Sequence, residues 1–458
     1  PESVDVAELV FDRSPGRPMS LAMRLPETDP GSPVANDATA ASSIASRVAC
    51  PRLLGRRTAA SVMIWSLLRE AFRRTLLYFF VEGSTFLVGI SLATARGRGE
   101  LPEGPEVAKT PLSMEPTGWF QVAWSAEIEV GAVVRMTYFG QEMVAWRSAS
   151  GRVSVFDAYC EHLGAHLGYG GHVEGENLEC PFHGWQWNSE GRNVCIPYEA
   201  RPNKGRRIRS HPVVERNESI WIWYDKHGRA PYFEVPDIFT AFGDDADAAR
   251  RYYPPVPAAI RCWRGLELHP QYVLENGVDF AHFLFVHKTP FMPEFTRHDF
   301  DGPVSYVDFT IAFEEGKTLE NAGSGVYSIN AGLGCSVTRS WGMIENRTMP
   351  AVTPVDEHTC DVRFTVWIGR KPGEENATGM TPYGQTMADL VIEQFAADVE
   401  IWSHQRYSDP PALSRKEFAG FTALRRWAEQ FYPDGEDLGT DHACRTVGPS
   451  FRCIRPRT

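Results

Sequence analysis

From Trp119 to about residue 237, apolar positions alternate with polar ones in short runs broken by Gly, Asn and Ser. Val133–Phe139, Met143–Arg147 and Val153–Phe156 read as strands, joined at Gly140-Gln141 and at Ser148–Gly151, and Val213–Trp223 reads as a closing strand. Pro231 and Pro236 then punctuate a linker. Beyond it the period lengthens in places. Pro270–Leu284, Gln385–Gln405 and Lys416–Phe431 are expected helices, set among expected strands at Val304–Phe313, Gly325–Asn330, Val337–Ile344 and Cys360–Ile368. The pattern predicts an α+β chain: an antiparallel β domain over 113–237, then a sheet with helices on one face over 238–434. Residues 435–458 read as a tail, and no internal repeat is visible.

Residues 1–112 differ. Their first fifty are rich in Pro, Ala, Ser and Asp without a hydrophobic period, which predicts a disordered arm. Thr75–Ala95 is an apolar stretch flanked by Arg73, Arg74, Arg96 and Arg98, long enough for membrane contact through residues 75–95, although Glu82 inside it makes insertion costly. The extension is therefore read as disordered or membrane-associated.

With 458 residues, 43% hydrophobic and 23% charged, the chain supports two or more cored domains. A net charge of −12 argues against nucleic acid as a partner and suits a protein partner with a basic patch. The nine cysteines show no disulfide framework, which fits a reducing cytoplasm.

Two of those cysteines stand in a pattern. Cys160-Glu-His162 and, after a gap of seventeen residues, Cys180-Pro-Phe-His183 supply two thiolates and two imidazoles from two short loops. That set suits a [2Fe-2S] cluster with both thiolates on one iron and both imidazoles on the other, the Rieske arrangement. A zinc site of two Cys and two His normally brings a Cys-x-x-Cys knuckle, which neither loop has. Gly164, Gly168 and Gly184 would let backbone NH groups approach the sulfurs, with Pro181, Phe182 and Trp185 as an apolar cover. His166 and His172 fall outside the four-ligand pattern.

A second constellation lies in Glu275-Asn-Gly-Val-Asp279-Phe-Ala-His282-Phe-Leu-Phe-Val-His287. His282 and His287 are about 140° apart on an ideal helix, so they meet on one atom only where the helix ends or bulges between them. Two histidines and one carboxylate would make the facial triad of non-haem iron(II) sites. For the carboxylate, the helix 385–405 offers Asp389, Glu393, Asp398 and Glu400; only Asp398 lies near its apolar stripe of Val391, Phe395 and Trp402. Asp398 is the expected third ligand. Phe283, Phe285, Phe291 and Phe295 are candidate pocket residues.

Over about residues 114–434 these motifs, with Leu163–Gly168 and Arg425–Tyr432, resemble the catalytic subunits of Rieske non-haem iron oxygenases, most closely the steroid branch of 3-ketosteroid 9α-hydroxylase oxygenases and cholesterol 7-desaturases. The resemblance implies a helix-grip (START-like) catalytic domain, a head-to-tail homotrimer, and Asp279 bridging His183 of a neighbour to His282. It further implies electrons from NAD(P)H through a separate reductase, O2, and hydroxylation or desaturation of a hydrophobic substrate. Three rivals stand beside it: an aromatic-ring or other small-substrate oxygenase, a lipid-binding module of the helix-grip type in which the later histidines are incidental, and a Rieske electron carrier that would need only residues 114–237.

Overall fold

The computed structural model describes residues 110–245, 247–312, 323–342 and 344–433, together with four strands near the N-terminus. Those four, β1 (Val6–Asp12), β2 (Ser20–Arg24), β3 (Leu77–Val81) and β4 (Ser84–Gly89), form one sheet in a unit of their own, residues 1–105. Strands thus stand in part of the arm expected to be disordered. The stretch weighed for membrane contact is a β3–β4 hairpin where it is described. No described helix is long and apolar enough to cross a membrane. The tail from 434 lies outside the described residues.

The β domain is built from hairpins whose turns the sequence dictates. β6 (Val133–Tyr138) and β7 (Gln141–Arg147) turn at Phe139-Gly140, both with positive φ, and β8 (Val153–Asp157) extends the sheet. β7 is buried on both faces. Met143 and Ala145 join Phe120, Val155, Ile220 and Ile222 in one core, while Val144 and Trp146 join Phe156, Leu167, Leu178 and Trp187 in another. Four three-residue strands, β9 (His172–Glu174), β10 (Asn177–Glu179), β11 (Gln186–Asn188) and β12 (Asn193–Cys195), carry the two ligand loops above that second core. The two-residue β13 (Ser210–His211) completes the β8 edge. The expected closing strand is in fact a hairpin. β14 (Val213–Arg216) and β15 (Ser219–Tyr224) turn at Asn217-Glu218, where both φ values are positive. β15 pairs with the domain's first strand, Gly118–Trp124 (β5).

The second half is a seven-stranded antiparallel sheet in the order β16-β22-β21-β20-β19-β18-β17. Its members are β16 (Ile260–Leu266), β17 (Glu294–Asp301), β18 (Val304–Ala312), β19 (Gly323–Ala331), β20 (Cys335–Trp341), β21 (Asn346–Pro354) and β22 (Cys360–Ile368). Strand alternation splits β21: Met349 and Ala351 pack against Trp119 and Trp221 of the first domain, and Asn346, Thr348 and Pro350 face a cavity on the other side. The long helix Pro382–Ser403 grips that side, its Ala388, Ile392, Val399 and Trp402 packing on Phe364, Val366, Val362 and Val352. Burying about 100 Å² of apolar side chain at each such position is worth roughly 2 to 3 kcal/mol.

The expected helix Pro270–Leu284 is two helices. Pro270–Asn276 (α1) ends at Gly277, and Ala281–Phe285 (α2) restarts after Asp279, whose Oδ1 accepts the amides of Ala281 at 3.0 Å and His282 at 3.3 Å. The remaining α-helices among the described residues are α3 (Pro382–Ser403) and α4 (Phe418–Ala428).

Candidate metal centres

Two loops with the same internal wiring carry the first four candidates. In one, Cys160 N donates to Ala165 O and Gly164 N to Cys160 O, both at 2.9 Å; in the other, Cys180 N donates to Trp185 O at 2.9 Å and Gly184 N to Cys180 O at 3.1 Å. Each turn closes through a glycine at positive φ, 75° for Gly164 and 68° for Gly184, a conformation a side chain would strain. The repeated knuckle brings the sequence-chosen quartet together. His162 and His183 lie with ring centroids 4.7 Å apart, and His162 stacks on Trp185 at 4.2 Å.

Cys160 and Cys180 are each 2% exposed, and these thiols stand where thiolates would ligate iron. They share a hydrogen bond that raises Cys160 and lowers Cys180 to about 6, with amides of Phe182 and His183 also favouring the Cys180 anion. Those amides are the donors through which a protein tunes cluster sulfurs. His183 Nδ1 is buried without a hydrogen-bond partner, an orphan that an iron would satisfy. Among the described residues, the three-ligand group placed to share a single ion lies elsewhere, so the quartet does not close like a zinc site. The quartet fits a two-iron cluster. Of the expected apolar cover, Trp185 stacks on His162 while Phe182 is 61% exposed, and Leu163 at the other loop is 66% exposed. His166 instead accepts from Gly168 N through Nδ1 at 3.0 Å, a local brace.

The second group is His282, His287 and Asp398, whose ligand atoms all lie within 4.8 Å of one another. Convergence follows from the chain's turns. α2 ends at Phe285, where the Val286 amide donates to the His282 carbonyl and the Thr289 amide to the Phe283 carbonyl, and the chain leaves this closing turn at Lys288 with a left-handed φ of 58°. From α3, Asp398 enters 5% exposed, its Oδ2 3.2 Å from His287 Nε2, whereas Asp389, Glu393 and Glu400 face solvent. His282 Nδ1 donates to the Asp279 carbonyl, which turns Nε2 toward the group. Burial, against the pull of Asp398 and with a smaller push from His287, lowers the His282 pKa and so favours the neutral ring, the form a ligand takes. The donor set and its geometry fit ferrous iron.

Asn276 was not singled out from sequence. Its Nδ2 lies 3.2 Å from His282 Nε2 and donates to Asp398 Oδ2 at 3.3 Å, standing in the place a cation would take. The signal was its seat one turn before Asp279, which only the break after α1 makes meaningful. A cavity of about 360 Å³ opens from the triad, within the range of small-molecule sites. Of the four candidate phenylalanines only Phe283 lines it. Phe285 and Phe291 are exposed, and Phe295 packs against Phe309.

A family model described as the Rieske [2Fe-2S] domain matches residues 118–212, and one described as the 3-ketosteroid 9alpha-hydroxylase C-terminal domain matches residues 222–432. The chain is 29% identical over 344 residues to the oxygenase component of a 3-ketosteroid-9-alpha-monooxygenase from Rhodococcus rhodochrous, covering 71% of this chain and 85% of that protein. It is 28% identical over 351 residues to cholesterol 7-desaturase nvd 1 from Ciona intestinalis, covering 70% and 69%. In fold it is similar to dicamba monooxygenase in a crystal structure with dicamba bound, with a TM-score of 0.51 and 18% identity over 70% of this chain and 98% of that one. A Rieske domain and a ketosteroid-hydroxylase C-terminal domain follow one another along one polypeptide, and the chain belongs to the Rieske non-haem iron oxygenases, on the branch of the 3-ketosteroid 9α-hydroxylase oxygenase components and cholesterol 7-desaturases.

Proposed function

We propose that this chain is a terminal oxygenase component that takes NAD(P)H electrons from a separate reductase and uses O2 to hydroxylate or desaturate a steroid or sterol. The convergence of His282, His287 and Asp398 at a cavity, in a chain that also holds the Cys/His quartet, carries the reading. When bound, a cluster at the quartet supplies electrons singly and a ferrous ion at the triad supplies the reductive activation of O2.

The chain's own residues do the rest. His282 is oriented by the Asp279 carbonyl, and Asn276 lies against both His282 and Asp398. Val273, Leu274, Phe283 and Phe395 give the cavity an apolar wall against which a hydrocarbon skeleton is held while bulk water is kept out. Asp279 is assigned the bridge between His282 and His183 of a neighbouring copy in a head-to-tail trimer. Apolar side chains left exposed at the knuckles (Leu163, Phe182) and beside the triad (Phe285, 73% exposed) support such a contact. The free cysteines among the described residues suit the cytoplasm, with membrane contact through residues 75–95 a matter for fractionation.

Anaerobic purification with iron and EPR measurement, then product analysis with 3-ketosteroids and sterols, tests the proposal. About three irons per chain, a Rieske signal and NADH use coupled to product are expected. About two irons would leave only an electron carrier; three irons with no steroid coupled to product would remove the substrate.

A further inference from the structure

The cavity beside the triad has two unlike walls. On its helix side stand Val273, Leu274, Phe283, Val391 and Phe395. Its floor is the sheet: β18 brings Val307, Phe309 and Ile311, while in the middle every second residue of β19, β20 and β21 points inward, and there all but Val326 and Pro350 are polar. In register, Ser328 lies opposite Thr338 and Thr338 opposite Thr348; on either side Ser340 faces Asn346 and Asn330 faces Ser336. Strand spacing and rise make this patch about 10 by 14 Å.

The floor is only partly satisfied from within. Thr338 and Thr348 hydroxyls bond each other at 2.6 Å, and Asn330 Nδ2 donates to Ser305 Oγ at 3.0 Å. Asn346 Nδ2 donates to the Ile344 carbonyl at 3.1 Å, which leaves its Oδ1 buried without a partner. The hydroxyls of Ser328, Ser336 and Ser340 have no protein partner among the described residues, and Ser336 is 6% exposed. Hydrocarbon laid over such groups removes their water and returns no hydrogen bond, which weakens binding for each group so stranded.

Resting on the steroid reading above, we infer that the substrate is a steroid already carrying several oxygen functions along one face. Its hydroxyl or keto groups meet the Ser, Thr and Asn floor while its hydrocarbon face meets the helices. A steroid with a single oxygen is the poorer ligand. The enzyme then acts after an oxygenation that installs those groups.

Binding, measured by equilibrium dialysis on the full iron-loaded chain without reductase, separates the alternatives. The probes are a trihydroxylated cholane and its monohydroxy counterpart with the same ring junctions. The trihydroxy compound is expected to bind at least ten-fold tighter. Thr338→Val with Thr348→Val, close in shape, is expected to bring the ratio to about one without weakening the monohydroxy compound; Ser340→Ala, which adds no bulk, is a second variant expected to narrow it. Equal or tighter binding of the monohydroxy compound by the unaltered chain, or an unchanged ratio in folded variants, overturns this inference and leaves the steroid reading standing. Binding of neither compound overturns both.

Discussion

Asp398 and Asp279 are both carboxylates beside histidines, yet their surroundings give them different work. Asp398 is buried on a helix whose other acids face water, held between Asn276 Nδ2 and His287 Nε2 as a carboxylate placed for a cation. Asp398→Ala is expected to lower iron from about three to about two per chain while the Rieske EPR signal stays; loss of the signal as well would point to global damage rather than a missing ligand. Asp279 has two functions to separate, because its Oδ1 caps α2 while its charge is assigned the bridge. Asn caps as well as Asp does. Asp279→Asn should therefore keep both metals and change stability by less than about 0.5 kcal/mol, yet slow single-turnover oxidation of the cluster by about a hundred-fold. Normal oxidation in this variant would remove the bridge. Asp398 was legible in the sequence because helical phase alone sets it on the apolar stripe. Asn276 was not, since its nearness to the triad depends on where a helix stops. The polar floor was hidden for another reason: Ser, Thr and Asn on alternate positions read as a solvent face, and here that face looks into a cavity.

At the level of elements, three strands of the seven-stranded sheet were missed in the sequence for two reasons. β16 and β17 are the two edges of the seven-stranded sheet, and their charges, such as Arg261, Arg264, Glu294 and Arg297, resemble a loop's. β21 is central but holds Pro350 and Pro354; its pairing with β20 resumes on either side of Pro350, at Cys335↔Ala351 and Thr338↔Thr348, where the missing N–H is not required. Alternation found the strands with one clean apolar face and failed where edge protection or proline competed with it. α1, which carries Asn276, is held at both ends. Glu275, 5% exposed, takes Arg425 of α4 in a two-pronged pair at 2.8 and 3.0 Å, so Arg425→Ala is expected to lower unfolding free energy by about 3 kcal/mol in denaturant melts. His269 caps the start of α1 through Nδ1, which accepts from Gln271 N at 3.1 Å while Nε2 faces the Ser113 carbonyl. Burial depresses its pKa to about 4, from about 6.5 when unfolded. Between those values the unfolded chain binds more protons, so stability is full above about pH 6.5 and falls as pH drops toward about 4, by roughly 3 kcal/mol from this group. His269→Asn keeps a capping acceptor and is expected to flatten that part of a stability-versus-pH curve. An unchanged slope would assign the acid sensitivity to other buried groups such as His298, likewise depressed to about 4.

For the whole molecule, the issue is which cluster serves which triad. Two domains share an apolar seam, Trp119 and Trp221 against Met349 and Ala351, which fixes them rigidly enough that electron transfer must use whatever separation the assembly sets. Exposed apolar side chains mark two places on the surface, Leu163 and Phe182 at the knuckle tips and Phe285 beside the triad, and a neighbour that covers both would bring one copy's cluster to another copy's triad. Where their rotation closes, heterologous contacts of this kind form a ring in which each copy both gives and receives, as in the trimer proposed above. Chains bearing Cys160→Ser lack a working cluster and chains bearing Asp398→Ala lack a working triad, so each alone is expected to be inactive. Co-expressed, they would form mixed rings, and wherever a cluster-competent copy sits ahead of a triad-competent one, electrons have a complete route. Such mixtures are expected to recover activity, up to about a quarter of the unaltered protein's when the two chains mix at random, because only one in four ordered neighbour pairs is competent. Mixing the separately purified variants under conditions that prevent subunit exchange should restore nothing. If co-expressed hybrids, verified by tagged pull-down, stayed as inactive as their parents, the electron route would run within one chain, and Asp279 would have no neighbour's histidine to reach.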